Sequence, residues 1–368
     1  MTEHVHTVVV GGGAMGSAAA WQLASRGVET VLLERFEAGH KHGASHGASR
    51  NFNVAYATDT QVGMIVESER LWREVEAQTG QALLTVTGLV NHGADPGFAG
   101  IADALHARGI PAEFLPPQEA ARRWPGLRFE TPVLHTPSAG RLDADRSVAA
   151  LQQAAAAHGA DVRHGVRVTA IEVVDDDRVQ VVTERGDLLA HRVVVAAGAW
   201  TTKLLGHVLD LPRLTVTQEQ PAHFALLDDS FDWPGFNHWP GPDDAWWHAN
   251  VYGMHTPGEG IKAGWHRSGP EVDPDARDYR PEPAQLAALQ RYVREWIPGA
   301  DAEASLAISC TYTTADDAAF VIDSVGPVTV GAGFAGEGFK FTTAVGRMLA
   351  DLTAGRPAPE MFSLRRFG

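Results

Sequence analysis

The chain has 368 residues, 44% hydrophobic and 20% charged, an ordinary globular composition that excludes disordered and fibrous classes and a size at which two joined domains are expected. Its 30 Lys and Arg against 45 Asp and Glu give a formal charge of −15. That field repels nucleic acid and anionic membrane surfaces, so neither is an expected partner.

The opening stretch MTEHVHTVVV has no basic n-region, and no run of 18 apolar residues follows anywhere, so a cytoplasmic location is expected. A lone cysteine, Cys310, allows no internal disulfide and fits a reducing compartment. His6 to Val10 reads as a β-branched strand. Small and apolar residues at helical spacing then predict a helix over Ala14 to Arg26, closed by Gly27 at the position a helix C-cap prefers. Val28 to Leu33 reads as a second, buried parallel strand. The turn between the first strand and the helix fits GxGxxG as Gly11, Gly13 and Gly16, with Glu34 roughly 20 residues on. Gly11 permits the tight turn, Gly13 lets the backbone approach a pyrophosphate, and Gly16 lets the helix lie close to the sheet. Glu34 is placed to accept hydrogen bonds from an adenosine ribose. A dinucleotide site follows, with NAD and FAD both open.

Further along, helical patterns cover Gln118 to Trp124 and Pro283 to Trp296. Residues 159 to 200 alternate apolar and polar side chains between turn signals, as a β-meander does, and end in a buried strand, Val193 to Ala196. A dinucleotide domain that resumes after a long insertion is the layout of FAD-binding flavoproteins, an argument from fold analogy. Residues 231 to 254 crowd Trp233, Trp239, Trp246, Trp247 and Tyr252 among Pro and Gly, a density that suits either core packing or a ligand pocket. No metal site, repeat or low-complexity linker is expected.

The C-terminal stretches CTYTTADDAAFVID and VTVGAGFAGEGFKFTTAVGRMLADL, with GASHGASR at 43–50 and GIKAGWH at 260–266, resemble the monomeric sarcosine oxidase and N-methyltryptophan oxidase family, within the D-amino-acid-oxidase-like flavoproteins. The resemblance spans nearly the whole chain. It implies an α/β fold: a Rossmann-like FAD-binding domain from residues 1–82, 140–215 and 306–368, with an inserted α+β substrate domain on a large mixed sheet from 83–139 and 216–305. It also implies an FAD-dependent amine oxidase that turns the C–N bond of a secondary amine or N-methyl amino acid into an imine and O2 into H2O2, as a monomer or small homo-oligomer.

By this resemblance Cys310 is a thioether tether to the flavin, whereas composition alone reads a lone cysteine as a small buried hydrophobe. Lys262 serves oxygen activation, His266 lies near the substrate, Tyr252 is an active-site tyrosine, and Arg50 stands beside the flavin ring. Lys340 pairs with the substrate carboxylate, although an isolated lysine before a helix also suits a surface. Implied cofactor contacts run from Gly11, Gly13, Ala14, Met15 and Gly16 through Glu34 and Arg35 to Ser45 and His46. They continue at Val168, at Ala197, Gly198 and Trp200, and along the loop bearing Gly333, Phe334, Gly336, Gly338 and Phe339.

Two departures stand out. Asn53 replaces a second arginine that would clamp a carboxylate, and an amide matches neither its charge nor its geometry. Glu337 replaces a histidine, and a carboxylate at the pocket mouth is expected to repel a second one. The substrate is therefore expected to be larger or less anionic than sarcosine. Competing readings are a flavin dehydrogenase, a cyclic imino acid oxidase in a biosynthetic pathway, a non-enzymatic flavin-binding protein, and an NAD-dependent reductase.

Overall fold

A computed structural model describes residues 2–368. The first strand runs Glu3–Val10, the helix Ala14–Ala24 and the second strand Thr30–Leu33. The helix stops two residues short of the predicted Arg26, and Gly27 takes its turn at φ 76°. The first strand pairs in parallel with Thr30–Leu33 on one side and Leu188–Val195 on the other. Val328–Ala332 and Asp161–Arg163 extend this parallel core, while Val168–Asp175 and Arg178–Thr183 add the expected antiparallel meander. A strand buried on both faces carries continuous apolar side chains, and Val8, Val9, Val193, Val194, Val328 and Val330 are all fully buried.

Helices Ala14–Ala24, Ala144–Ala157 and Thr342–Thr353 pack together beside this sheet. Their closeness depends on small residues: a Cβ on Gly346 would lie 2.5 Å from Ala18 Cβ.

A second eight-stranded sheet holds Leu89–Gly93, Glu113–Leu115 and Val133–Thr136 together with five strands from residues 222–307. Its order places Leu89–Gly93 in parallel beside Gly235–Trp239, and Val251–Thr256 between Gly235–Trp239 and Gly260–Trp265. Because side chains alternate along a strand, one face is apolar. Phe224, Phe236, Val251 and Ile261 pack there on Leu289, Tyr292 and Val293 of the helix Pro283–Trp296. The dense aromatic stretch divides between the two expected roles: Trp233 and Trp247 belong to this core, whereas Trp239 and Tyr252 face a cavity. No helix among the described residues is long and apolar enough to cross a membrane.

Candidate active site

A cavity of about 700 Å³ runs from the glycine turn to the polar face of the second sheet. At the turn, Gly11 has φ 103°, and a Cβ there would lie 2.5 Å from Ala196 O. A Cβ on Gly16 would lie 1.8 Å from Gly11 O, so only glycine lets the helix approach. The helix begins without a side-chain cap from its own N-cap residue. Ser45 Oγ, from the loop 43–50, accepts a 3.0 Å hydrogen bond from Ala14 N instead.

Glu34 is buried at the end of the second strand. Burial works to raise its pKa, but His40 and the backbone N–H groups of Phe36 (2.9 Å) and Gly12 (2.7 Å) outweigh this and keep the carboxyl below its ordinary range. A glycine turn at a helix start, with an ionised acid at the end of the next strand, fits a dinucleotide.

The reactive end collects residues from distant segments. Cys310 is 8% exposed, with the Arg50 guanidinium 4.0 Å from its sulfur. Arg50 also donates to the carbonyls of Ser49, Ala44 and His46, at 2.8, 2.9 and 2.6 Å, and so is held by its own loop. His46 donates from Nε2 to Ser309 O at 3.1 Å. Burial, together with the Arg50 and Lys262 charges, lowers its pKa to about 4, so the ring is neutral.

Lys262 is 3% exposed and donates only to Ser49 O, at 3.3 Å. Burial, aided by Arg50, pulls its ammonium down to about 7. Lys340 is 7% exposed, donates to Glu337 O at 2.8 Å and lies over the Tyr56 ring. Burial brings it down to about 8, against the opposing pull of Glu337. Tyr252 is raised above its ordinary range by burial and by Cys310, and hydrogen-bonds Tyr312.

Of the residues the resemblance assigns to catalysis, substrate or cofactor, all but Gly16 line this one cavity, including Met15, Arg35, Asn53, Val168, Ala197, Gly198, Trp200, His266, Gly333, Phe334, Gly338 and Phe339. Gly16 stands behind the turn. One expectation is corrected. Glu337 does not confront the cavity as a bare carboxylate: Arg267 Nη2 lies 2.9 Å from its Oε1 and His266 Nε2 3.5 Å. Burial would raise Glu337, yet His266, Lys340 and Arg267 bring it down to about 2, a neutralised anion rather than a repelling one. Arg267 directly follows GIKAGWH, yet nothing in the sequence marks it, and its positive φ of 59° has no sequence signal. Tyr56, Asn51, Asn91 and Asn237 also line the cavity without a sequence signal, since a single amide in a strand gives no periodic cue.

Residues 6–352 match the FAD dependent oxidoreductase family model. The chain is 32% identical to monomeric sarcosine oxidase of Bacillus sp. (strain NS-129), over 100% of this chain and 98% of that protein. It is 28% identical to N-methyl-L-tryptophan oxidase of Yersinia pestis (strain Pestoides F), over 98% of each. The solved structure of NikD, an unusual amino acid oxidase essential for nikkomycin biosynthesis, superposes with a TM-score of 0.87 at 27% identity, covering 98% of both chains. Fold, glycine turn and cavity together define an FAD-dependent oxidoreductase. Within that class the chain belongs to the monomeric sarcosine oxidase and N-methyltryptophan oxidase family.

Proposed function

We propose that the protein is an amine oxidase that removes two electrons from the C–N bond of an N-methyl amino acid, releasing an imine and H2O2. The observation that carries this reading is the convergence on one cavity of a thiol, two buried lysines and a tyrosine beside a dinucleotide site. When bound, FAD supplies the two-electron chemistry, which protein side chains do not perform.

In this reading residues 1–82, 140–215 and 306–368 hold the cofactor, and 83–139 and 216–305 shape the substrate site. Cys310 tethers the flavin by a thioether. Lys262 presents a fixed cation where negative charge builds on oxygen, in a site from which water is largely excluded. With a pKa of about 7, it is also able to donate a proton and recover it at neutral pH. Lys340, with Arg267 behind it, supplies positive charge for the substrate carboxylate. Asn53 accepts from Ala55 N at 2.9 Å and leaves this recognition without a bidentate clamp. His266 and Tyr252 border the substrate. A cytoplasmic monomer or small homo-oligomer fits the lone unpaired cysteine.

The test has two parts. Acid-precipitated protein run on a denaturing gel should retain yellow fluorescence, and the Cys310→Ala polypeptide should lose both the fluorescence and the added flavin mass. Anaerobic addition of an N-methyl amino acid should bleach the flavin, and air should restore its colour within seconds. Bleaching by no N-methyl amino acid overturns the proposal.

A further inference from the structure

Three asparagines from separate strands meet on the cavity wall: Asn51 of Arg50–Phe52, Asn91 of Leu89–Gly93 and Asn237 of Gly235–Trp239. Asn237 stands opposite Asn91 in the parallel pair and opposite Tyr252 in the antiparallel one. Asn91, Asn237 and Tyr252 thus form one row across the polar face of the second sheet. Asn237 Nδ2 donates to Asn91 Oδ1 at 2.9 Å. Asn51 reaches the same strand from the small sheet: a Cβ on Gly235, two residues before Asn237, would lie 2.7 Å from Asn51 Oδ1.

Two polar atoms of this group have no partner. Asn91 is 2% exposed and its Nδ2 makes no hydrogen bond, and the buried Oδ1 of Asn51 makes none either. Buried amide groups without partners are costly, and native structures pair nearly all of them. Both atoms are sealed within the wall, and a turn of either amide about its last torsion would present an unpaired donor and acceptor to a guest that supplies an acceptor and a donor. Exchanging O and N in an asparagine amide reverses which atom donates without removing either capacity. None of the three side chains is charged, so the patch itself offers a charged group no ion partner.

Building on the amine-oxidation reading, we propose that Asn51, Asn91 and Asn237 form a specificity patch for an uncharged substituent of the carboxamide kind on the amine substrate. The substrate class is then an N-methyl amino acid whose side chain both donates and accepts hydrogen bonds. Such a patch discriminates by exclusion: a guest without those groups leaves the asparagines unpaired, and a charged guest is desolvated without an ion partner.

The experiment uses the flavin-loaded protein and three ligands matched in size: the N-methyl derivatives of asparagine, leucine and aspartate. Unreactive thioether analogues, with sulfur in place of the amine nitrogen, give equilibrium affinities by calorimetry. The same three amines give anaerobic bleaching rates. The carboxamide analogue is expected to bind at least ~10-fold more tightly than the other two. Asn91→Leu and, at the less buried position, Asn51→Leu should bring carboxamide and isobutyl ligands within ~2-fold of each other. Flavin content and melting midpoint establish that each variant is folded. Equal binding of the three analogues by the unmodified protein, or a preference that survives in a folded variant, overturns the patch. If simple N-methyl amino acids bleach the flavin and the carboxamide has no advantage, only this inference fails. If none bleaches it, the underlying reading fails.

Discussion

Lys262 is a buried cation whose charge state governs stability across neutral and alkaline pH. Its folded pKa of about 7 lies well below the ordinary lysine value. Below pH 7 both folded and unfolded chains hold the proton, so the cost of burying the charge is present in full. Between pH 7 and about 10.4 the unfolded chain retains the proton that the folded one sheds, and stability rises with pH. Lys262→Met should therefore be more stable than the parent at pH 6 by roughly 3–5 kcal/mol, a gap that narrows toward pH 10. Denaturant titrations across that range read it directly, and a gap that does not change with pH contradicts the assignment. Glu337 has the opposite sign. With its pKa depressed to about 2, its contribution is complete above the ordinary carboxylate value and fades as pH falls toward 2. Arg267→Ala should expose that charge and raise KM for carboxylate-bearing amines by ~10-fold, while an uncharged amine of similar size shifts far less. The lysines, cysteine and arginine of the site were legible because neighbouring residues form long recognisable strings. Arg267 and the three asparagines were not, since their meaning comes from groups distant in sequence, 70 positions away for Arg267 and Glu337 and 146 for Asn91 and Asn237.

At the level of elements, the glycine turn and its flanking strand and helix were readable because their constraints are local: a positive φ, a missing Cβ and a run of β-branched residues. The second sheet was not readable in that way. Leu89–Gly93 lies beside Gly235–Trp239, and nothing near either strand encodes a pairing across so long a loop. The loop 333–341 depends on a comparable close approach. Gly336 has φ 77°, and a Cβ there would lie 2.2 Å from the Tyr312 ring. Gly336→Ala should cost more than ~2 kcal/mol, since it combines a strained backbone with a clash against a buried ring. Because Tyr312 hydrogen-bonds Tyr252, the variant should also lose flavin content. A variant with normal melting and full flavin would show that the loop yields easily.

For the molecule as a whole, two eight-stranded sheets divide the work, one carrying the glycine turn and the other the wall with Lys262, Tyr252 and the asparagine row. The cavity between them draws residues from both ends of the chain, from Gly11 to Lys340. One measurement addresses that arrangement. Each amine consumed should yield one H2O2 and consume one O2, and electron transfer to an artificial dye in air should stay minor. A ratio well below one would indicate a different electron acceptor.

The loop 43–50 adds a further consequence. Ser45 already holds the N–H that begins the first helix, the same donor a phosphate seeks, and the arginine beside the thiol hangs from that loop by three carbonyls. A phosphate that takes this N–H displaces the hydroxyl at one end of the segment, while the other end borders the sulfur through Arg50. Uptake of a dinucleotide then swaps one acceptor for another at the head of the helix, a hydroxyl for a phosphate oxygen. Removing that hydroxyl with Ser45→Ala should quicken uptake of FAD by the freshly synthesised polypeptide, measured as the time course of added mass.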